Sequence, residues 1–217
     1  MTLPLPETKS GALSTRALAK IREFAKKIDI LVIGPGLSRD RSTQTLARKV
    51  IREIDKPAVI DADALNALAG HLEILKSRNS KERIRILTPH PGEMGRLTGL
   101  SPQAIQNNRI SLAQKFSREH RVTLALKGKK TVVSDYRGNT YINKTGNPGM
   151  SSAGTGDVLT GMIAAFLGQG LDAFSAAKYG VYLHGLAGDL AAKEKTQISL
   201  IASDIIAKIP KAIKKSS

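Results

Sequence analysis

The stretch from Gly146 to Gly161 holds the residues whose types and spacing best suit chemistry. It opens with turn-forming residues, continues through the small-residue sequence Ala-Gly-Thr-Gly-Asp at 153–157, and ends in the apolar run 158–167. Small residues let a backbone turn tightly and bring several N–H groups toward one bound group. A helix that begins at this turn adds unpaired N–H donors and the positive end of its dipole. The stretch therefore predicts an anion site.

Asp157 lies at the rim of this predicted site, where its charge repels the anion that the site attracts. A carboxylate in that place suits one task, which is to take the proton of a hydroxyl group that attacks a bound phosphoryl group. The alternative is that Thr155 or Asp157 only caps the helix and interacts favourably with its dipole. For an isolated Gly-Thr-Gly-Asp sequence the capping interpretation is the commoner one, so the rest of the chain has to decide.

The composition of the 217 residues limits the class of protein. Hydrophobic residues make up 41% and charged residues 24%, a mixture typical of a folded globular domain rather than a disordered chain. No apolar run reaches the length of a membrane span, and the first residues lack the basic-then-apolar order of a signal peptide. Cysteine is absent, which leaves no disulfide or thiolate metal site. We expect one domain, residues 1–217, in the cytoplasm and without membrane contact.

The net charge of +16 raises the question of nucleic-acid binding. The basic residues are spread along the chain, however, and only the segment 208–215 clusters them. Aromatic residues amount to 4%, which leaves few platforms on which bases could stack. A general attraction for small anionic molecules explains the charge as well, so we expect no nucleic-acid partner.

Short apolar runs alternate with helical patterns along most of the chain. We predict buried strands at 29–34, 57–61, 84–88 and 122–126, and a hairpin that pairs 131–134 with 140–143. Helices are predicted at 15–28, 42–54, 62–75 with a break near Gly70, 94–98, 102–120, and from 157 onward in three segments ending near 213. Strands that alternate with helices predict a doubly wound α/β domain with a mainly parallel sheet.

Polar residues, glycine and proline concentrate where the predicted strands end. The loops at these ends are 34–38, 61–66, 88–93 and 127–130. In sheets of this kind, ligands bind outside the carboxyl ends of the strands. The fold prediction and the positions of the polar residues therefore indicate the same edge of the sheet.

Five motifs in these loops resemble the ADP/ATP-dependent NAD(P)H-hydrate dehydratase family, a branch of the ribokinase-like superfamily. They are Val-Ile-Gly-Pro-Gly-Leu at 32–37, Val-Ile-Asp-Ala-Asp-Ala-Leu-Asn at 59–66, Leu-Thr-Pro-His-Pro-Gly-Glu at 87–93, Leu-Lys-Gly at 126–128 with Thr131, and Gly-Asn-Pro-Gly-Met at 146–150 followed by Gly-Thr-Gly-Asp at 154–157. The resemblance extends from residue 3 to residue 190. It implies a ribokinase-like, three-layer α/β/α fold that ends in a β-hairpin and helices.

The resemblance also implies an activity, namely the repair of hydrated NADH or NADPH in its S form. A nucleotide, with Mg²⁺, phosphorylates the extra ring hydroxyl, and loss of phosphate then restores the reduced cofactor. Bacterial members favour ADP over ATP, so ADP is expected here. A homotetramer, and cooperation with an NAD(P)H-hydrate epimerase, are implied in the same way.

The matching motifs suggest roles for individual residues. Asp157 is expected to be the catalytic base and to contact the substrate together with Gly36 and His90. Glu93 is expected to organise Mg²⁺ through water, although it could instead cap the following helix. The residues expected at the nucleotide are Lys127, Gly128, Lys129, Lys130, Thr131, Gly154, Thr155 and Gly156. Ordinary turns remain the alternative for Gly36 and for the 127–131 loop.

Other residues in the motifs carry weaker expectations. Asp61, Asp63 and Asn66 are the weakest site candidates, and Asp63 is also well placed to be an N-cap. We interpret the remaining histidines as structural, namely His71, His120 and His184. Ala153 and Ser38 stand where the family usually or often has glycine. The family also carries further βα units before this segment, so Met1 looks internal to the domain.

Two other functions remain open at this point. A kinase of the same superfamily that acts on hydroxymethylpyrimidine or hydroxyethylthiazole would use the same Gly-Thr-Gly-Asp chemistry. The sequence Thr-Pro-His-Pro-Gly-Glu at 88–93 favours the dehydratase, because the kinases resemble Asn-x-x-Glu there. The second alternative is a non-catalytic remnant that binds nucleotide but lacks the first βα units of the domain.

Overall fold

A computed structural model describes residues 2–76 and 83–216. Its central sheet has six strands that lie side by side in the order of the sequence. The strands are β1 (Leu31–Ile33), β2 (Ala58–Ile60), β3 (Arg85–Leu87), β4 (Thr123–Leu126), β5 (Val132–Ser134) and β6 (Thr140–Ile142). The first four are parallel, and β5 and β6 form an antiparallel hairpin at one edge. This confirms the predicted α/β fold with a mainly parallel sheet. The expectation that the domain is doubly wound was wrong for the described strands, because they follow one another in a single direction across the sheet.

Nine α-helices surround the sheet in the described part of the chain. They are α1 (Leu18–Ala25), α2 (Arg41–Glu53), α3 (Ala62–Leu68), α4 (Pro91–Thr98), α5 (Pro102–Asn107), α6 (Arg109–His120), α7 (Thr155–Gly168), α8 (Ala173–Lys195) and α9 (Ala202–Ser216). Short 3₁₀ helices occur at Thr15–Ala17, Leu72–Leu75 and Pro148–Ser151. None of the helices in the described ranges is both long and apolar enough to cross a membrane.

Alternate residues of the strands β2 to β5 pack into two separate cores, one on each face of the sheet. In β2, Ala58 and Ile60 pack among α2, α3 and α4, whereas Val59 faces α7 and α8 on the other side. Four parallel strands in sequential order, joined by right-handed crossovers, place the crossover helices on one face. The chain after β6 returns along the other face as α7 and α8, and α9 packs against α8. The result is the three-layer arrangement that the resemblance implied.

Some predicted element boundaries were wrong. Helix α4 begins at Pro91 rather than Met94, because His90 caps it and proline is tolerated at the first helical position. The predicted helix 102–120 is two helices, which meet at Asn108 with φ −128° and ψ 28°. The predicted helix 15–28 is a 3₁₀ turn followed by the shorter α1. The break near Gly70 is confirmed, since α3 ends at Leu68.

Candidate active site

Hydrogen bonds draw together the loops that follow β1 to β4. The backbone N–H of Ser38 donates to Asp63 Oδ2 at 2.9 Å, and that of Lys127 donates to the Pro89 carbonyl at 2.8 Å. Gly34 lies so close to Asp61 that a Cβ atom at position 34 would be only 2.6 Å from the Asp61 carbonyl carbon. The predicted convergence of these loops at the carboxyl edge of the sheet is confirmed. The alternative that Asp63 is an N-cap is wrong, because Asp63 lies inside α3. Its carboxylate instead accepts the hydrogen bond from the Ser38 loop.

A buried ion pair joins two of these loops. Lys127 Nζ donates to Asp61 Oδ1 at 2.7 Å, and the Thr160 hydroxyl donates to Asp61 Oδ2 at 2.8 Å. Only 1% of the Asp61 side chain is exposed, so both of its oxygens need such partners. A Cβ on Gly156 would lie 3.4 Å from Lys127 Nζ. The pair therefore lies directly beneath the start of α7, and the contact that we predicted between Lys127 and a nucleotide stays a prediction.

Helix α7 begins at the Gly-Thr-Gly-Asp sequence without a side-chain cap. Its N-cap is Gly154, in the left-handed region with φ 82°, and the Thr155 hydroxyl instead donates to the carbonyls of Met150 and Ser152 at 2.7 and 2.9 Å. The interpretation that Thr155 or Asp157 caps this helix is therefore wrong. Among the described residues, no acceptor takes the backbone N–H of Gly156 or Asp157. These donors, with the positive end of the α7 dipole, form a place for an anion.

Asp157 is exposed in the first turn of α7. Within the described residues its carboxylate has neither an ion pair nor a side-chain hydrogen bond. This contrasts with Asp61, which lies beneath the start of the same helix and whose oxygens are both occupied. Of the two carboxylates beside the turn, Asp157 is thus the one placed to exchange a proton with a ligand.

His90 and Glu93 cap helix α4 reciprocally. His90 Nδ1 accepts the backbone N–H of Gly92 at 2.9 Å, and Glu93 Oε2 accepts the backbone N–H of His90 at 2.8 Å. Because Nδ1 is an acceptor, the ring proton belongs on Nε2, which lies 3.3 Å from Glu93 Oε1. The capping alternative for Glu93 is confirmed. The His90 side chain is still half exposed toward the carboxyl edge, where a ligand could reach it.

Direct binding of a metal ion by Glu93 does not fit these contacts. Both of its carboxylate oxygens lie against His90, and Lys127 Nζ is 3.9 Å from Oε2. Across the described residues, no three His, Cys, Asp or Glu side chains are grouped as metal ligands. A Mg²⁺ ion suits this edge only when phosphate oxygens and water supply most of its coordination, which is its usual preference.

The 127–131 loop divides into an inward and an outward part. Lys127 points inward to Asp61, whereas Lys129 and Lys130 are exposed. Arg109, a residue that we did not predict, holds the loop by donating to the Leu126 carbonyl at 2.7 Å and to the Lys127 carbonyl at 3.2 Å. Nothing in the sequence around Arg109 marks this role, because its partners are backbone atoms 17 and 18 residues away.

Left-handed backbone at residues other than glycine concentrates at the same edge. Ser38 has φ 74°, Ala62 has φ 48° and Lys130 has φ 56°. Such conformations cost about 1 to 3 kcal/mol each and persist only where the surroundings impose them. Ser38 thus shows why its position often holds glycine in the family that the sequence resembles. Gly36, expected to approach the substrate, has φ 69° and is exposed in the same loop as Ser38.

Asn66 links α3 to α4 rather than to a ligand. Its side-chain N–H donates to Asp63 Oδ1 at 3.2 Å, and its Oδ1 accepts from Arg96 at 3.1 Å. Asp63, Asn66 and Arg96 form a polar chain that fixes the rim of the site. The weak expectation of ligand contact for Asp63 and Asn66 stays untested beside these structural roles.

The Gly-Asn-Pro-Gly-Met turn is fixed onto α8. Asp189 accepts the backbone N–H of Gly146 at 2.9 Å and the side-chain N–H of Asn147 at 3.0 Å. A Cβ on Gly185 would lie 2.7 Å from the Thr145 carbonyl carbon, and one on Gly188 would lie 2.7 Å from Met150 Cε. The turn that precedes the predicted anion site therefore lies in a groove of α8 lined by glycine.

His184, on the same helix, is buried beside the start of α7. Burial lowers its pKa to about 4, a backbone hydrogen bond with Thr155 opposes this, and the charge of Lys127 adds to the lowering. The imidazole is therefore neutral at pH 7. Among the described residues its Nε2 has no hydrogen-bond partner. The other histidines interpreted as structural lie away from the turn, with His120 packed on Phe116 and His71 near Glu73.

Comparison with known proteins agrees with this geometry. A family model described as NAD(P)H-hydrate dehydratase matches residues 3–211. The chain belongs to this family. A bifunctional NAD(P)H-hydrate repair enzyme Nnr from Moorella thermoacetica is 49% identical over 210 residues, which are 97% of this chain and 39% of that protein. An ADP-dependent (S)-NAD(P)H-hydrate dehydratase from Neisseria meningitidis is 40% identical over 187 residues, covering 84% of this chain and 62% of that protein.

Solved structures of family members have the same fold. An ADP/ATP-dependent NAD(P)H-hydrate dehydratase from Bacillus subtilis, co-crystallised with ATP and Mg²⁺, superposes with a TM-score of 0.78 at 31% identity and covers 93% of this chain and 72% of its own. A hydroxyethylthiazole kinase from Pyrococcus horikoshii shares the fold at 22% identity and a TM-score of 0.68. The chain spans about two fifths of the bifunctional relatives that it matches.

Proposed function

We propose that this family member dehydrates the S form of hydrated NADH or NADPH, using ADP or ATP to phosphorylate the extra ring hydroxyl. The supporting observation is the turn at 154–157, where the exposed Asp157 carboxylate lies beside backbone N–H groups that have no acceptor among the described residues. A base next to an anion site is the arrangement that transfer of a phosphoryl group to an alcohol needs. The names of the relatives state the same activity for those proteins.

The proposed first step transfers the terminal phosphoryl group. The ring hydroxyl oxygen forms a bond to the terminal phosphorus, its proton passes to Asp157, and the bond from that phosphorus to the bridging oxygen breaks. The open N–H groups of Gly156 and Asp157, in the turn formed with Gly154 and Thr155, stabilise the charge that develops on the phosphoryl oxygens. The nucleotide leaves one phosphate shorter, as AMP when ADP is used.

The proposed second step removes phosphate from the ring. The carbon–oxygen bond to phosphate breaks, the neighbouring ring carbon loses a proton, and the double bond of the reduced nicotinamide is restored. Phosphate is a far better leaving group than hydroxide, which is why the nucleotide is needed. No redox change occurs, because water was added to the ring without oxidation.

The other loops would bind the two substrates. Lys129, Lys130 and Thr131 are proposed to line the nucleotide together with Gly128, while Gly36 and His90 contact the hydrate. Lys127 is proposed to keep Asp61 neutralised beneath the turn, so that the buried carboxylate does not repel the phosphoryl group. Mg²⁺, held by nucleotide phosphates and by water next to Glu93, would neutralise phosphate charge.

Recovery of the reduced-nicotinamide absorbance from NADH hydrate plus ADP tests the proposal. Asp157→Asn should lower kcat by about 10²- to 10⁴-fold, because the amide cannot accept the hydroxyl proton. Asp29→Asn is the matched control, since Asp29 is an exposed aspartate outside the loops of the carboxyl edge, and its rate should equal that of the unmodified chain. An undiminished rate in Asp157→Asn would show that the base is another group.

The same assay separates the alternative functions. A stable phosphorylated product formed from a heterocyclic alcohol, with no NADH recovered from its hydrate, would indicate a kinase. A rise in melting temperature with ADP but no turnover would indicate the non-catalytic remnant.

We also propose the setting in which the enzyme works. The relatives named bifunctional repair enzymes support cooperation with an NAD(P)H-hydrate epimerase, which would convert the other epimer into the substrate. A cytoplasmic location and a homotetramer are proposed from the family that the sequence resembles. Sedimentation of the purified chain tests the tetramer.

A further inference from the structure

The Asp61 carboxylate lies beneath the start of α7 instead of capping its own helix. Asp61 occupies the N-cap position of α3, where an aspartate usually accepts backbone N–H groups of the first turn. Its side chain makes no such bond, and the next residue, Ala62, has left-handed backbone with φ 48°. The chain therefore forgoes a helix cap and takes an unfavourable conformation at the point where this carboxylate is placed under α7.

The two oxygens of Asp61 differ in their distance from the turn at 154–157. A Cβ atom on Gly156 would lie 3.9 Å from Asp61 Oδ2, whereas Oδ1 is farther away. The Thr160 hydroxyl donates to the nearer oxygen at 2.8 Å, and Lys127 Nζ donates to the farther one at 2.7 Å. Thr160 therefore covers the carboxylate oxygen that faces the turn.

The hydroxyl proton of Thr160 is fully used by this bond. In a helix, a threonine hydroxyl commonly donates to the carbonyl four residues earlier, which here is that of Gly156. An ionised carboxylate can only accept, so the single proton of the Thr160 hydroxyl goes to Asp61. Thr160 and the Asp61 side chain are each 1% exposed, so bulk water cannot replace the bond. The hydroxyl thus holds the nearer oxygen permanently.

The charges beneath the turn do not balance by themselves. Lys127 Nζ lies 2.7 Å from Asp61 Oδ1 and 3.9 Å from Glu93 Oε2, so one ammonium group faces two carboxylates. Negative charge therefore exceeds positive charge among these three side chains, close to the turn proposed for a phosphoryl group. A hydrogen bond donated to the oxygen that faces the turn stabilises the carboxylate charge and reduces the repulsion of an anion.

We propose that Thr160 is a positioning residue of the turn at 154–157, which acts through Asp61 and makes the turn accept a highly charged phosphate group. By holding Oδ2, the hydroxyl keeps the carboxylate charge from the phosphoryl oxygens and leaves Oδ1 to Lys127. This inference rests on the proposed function, because it takes the turn as the place where the phosphoryl group binds.

Calorimetric titration of the full chain with pyrophosphate, without divalent cations, tests the proposal. Thr160→Val keeps the branched shape but removes the hydroxyl. Its dissociation constant should rise about tenfold, because a hydrogen bond to a charged group is worth about that much or more. Thr160→Ser keeps a hydroxyl, so its dissociation constant should stay within about threefold of that of the unmodified chain.

Thr43→Val is the matched control. Thr43 is likewise 1% exposed, and its hydroxyl also donates at 2.8 Å, but to the Leu13 carbonyl on another part of the molecule. The dissociation constant of this variant should be unchanged. A loss of affinity as large as that in Thr160→Val would show a general loosening of the fold and would overturn the proposal.

A double-mutant cycle shows whether Thr160 acts through the charge of Asp61. Asp61→Asn removes that charge, so adding Thr160→Val to it should change the dissociation constant by less than about twofold. An undiminished effect of Thr160→Val in this background would overturn the proposal. Should Asp61→Asn fail to fold, the serine variant decides, since binding as weak as in Thr160→Val would also overturn it.

The outcome is separable from that of the dehydratase assay. Equal affinity for pyrophosphate in Thr160→Val and the unmodified chain, or no binding to either, would overturn this inference even if NADH is recovered from its hydrate. The expected tenfold change without any recovery of NADH would instead overturn the dehydratase activity and support the role of Thr160.

Discussion

The two edges of the central sheet differ in the chemical groups that they present, namely backbone N–H groups at the carboxyl edge and long side chains at the amino edge. At the carboxyl edge the proposed anion site is formed by the backbone, through glycine turns and N–H groups without an acceptor among the described residues. The buried side chains of Asp61 and Lys127 there neutralise each other. At the amino edge long side chains surround a cavity, where Arg83 pairs with Asp55 and the buried Arg85 donates to the Lys56 and Ile54 carbonyls. The carboxyl edge also carries the exposed carboxylate of Asp157, which is the proposed base. A backbone cradle beside a base suits a reacting group, whereas guanidinium groups bound to other parts of the protein suit the stabilisation of the fold.

The buried pair at the carboxyl edge gives the largest test of this contrast. Lys127→Met should lower the free energy of unfolding by about 3 kcal/mol or more, because Asp61 would stay buried without its cation. Urea denaturation measures the change. Arg22→Met breaks the exposed pair of Arg22 and Glu53 and should cost under about 1 kcal/mol. Equal losses in the two variants would show that the buried pair has no special part in holding the edge.

The two edges should also respond to acid in different pH ranges. His184 has a folded pKa of about 4 against an ordinary 6.5, so the unfolded chain binds its proton first. Stability from His184 is therefore complete above pH 6.5 and is lost as the pH falls toward 4, by about 3 kcal/mol in total. At the amino edge, hydrogen bonds from Ser175 lower the pKa of Asp172, so its contribution is lost only below its ordinary value of 3.8.

Urea midpoints measured from pH 7 to pH 3 separate these contributions. In His184→Gln the decrease in the free energy of unfolding between pH 6.5 and pH 4 should be smaller by about 3 kcal/mol. This holds whatever the substitution itself does to the stability at pH 7. Asp172→Asn should leave that range unchanged and flatten the curve below pH 3.8 only. An unchanged slope in His184→Gln would contradict a buried neutral imidazole beside Thr155.

The smallest test concerns the glycines on the face of α8. Gly185→Ala should destabilise the chain by about 1 to 3 kcal/mol, because the new methyl group would meet the Thr145 backbone, which cannot move aside. Gly161→Ala in α7 is the control, since no atom lies within 4 Å of its Cβ position. That change should stabilise the chain by about 0.5 to 1 kcal/mol. Thermal melting of both variants measures the difference, and a stabilised Gly185→Ala would contradict the close packing.

The sequence predicted the sheet better than it predicted the contacts across it. Runs such as 57–61 and 122–126 identified strands β2 and β4, because strands buried on both faces need continuous apolar residues. The Gly-Thr-Gly-Asp turn was located by its residue types alone. The start of α4 was missed although Pro91 indicated it, because histidine is not among the usual capping residues.

Contacts between distant residues had no signal in the sequence. The Thr160 hydroxyl and Asp61 meet across 99 residues, and Arg109 reaches backbone carbonyls that every residue type presents. Composition indicated an excess of basic residues but could not place four of them around one cavity. Such arrangements depend on which strands are neighbours and on where each helix ends, and a linear pattern does not specify either.

The groove of α8 that receives the 146–150 turn has a thermodynamic consequence. Asp189, Gly185 and Gly188 fix that turn through atoms of the protein itself, so its conformational freedom is lost when the chain folds. Little further ordering of the backbone is then needed when a nucleotide binds at the adjoining 154–157 turn. Calorimetry with a nucleotide should accordingly show a heat-capacity change that matches the apolar area buried, without the larger signature of coupled folding.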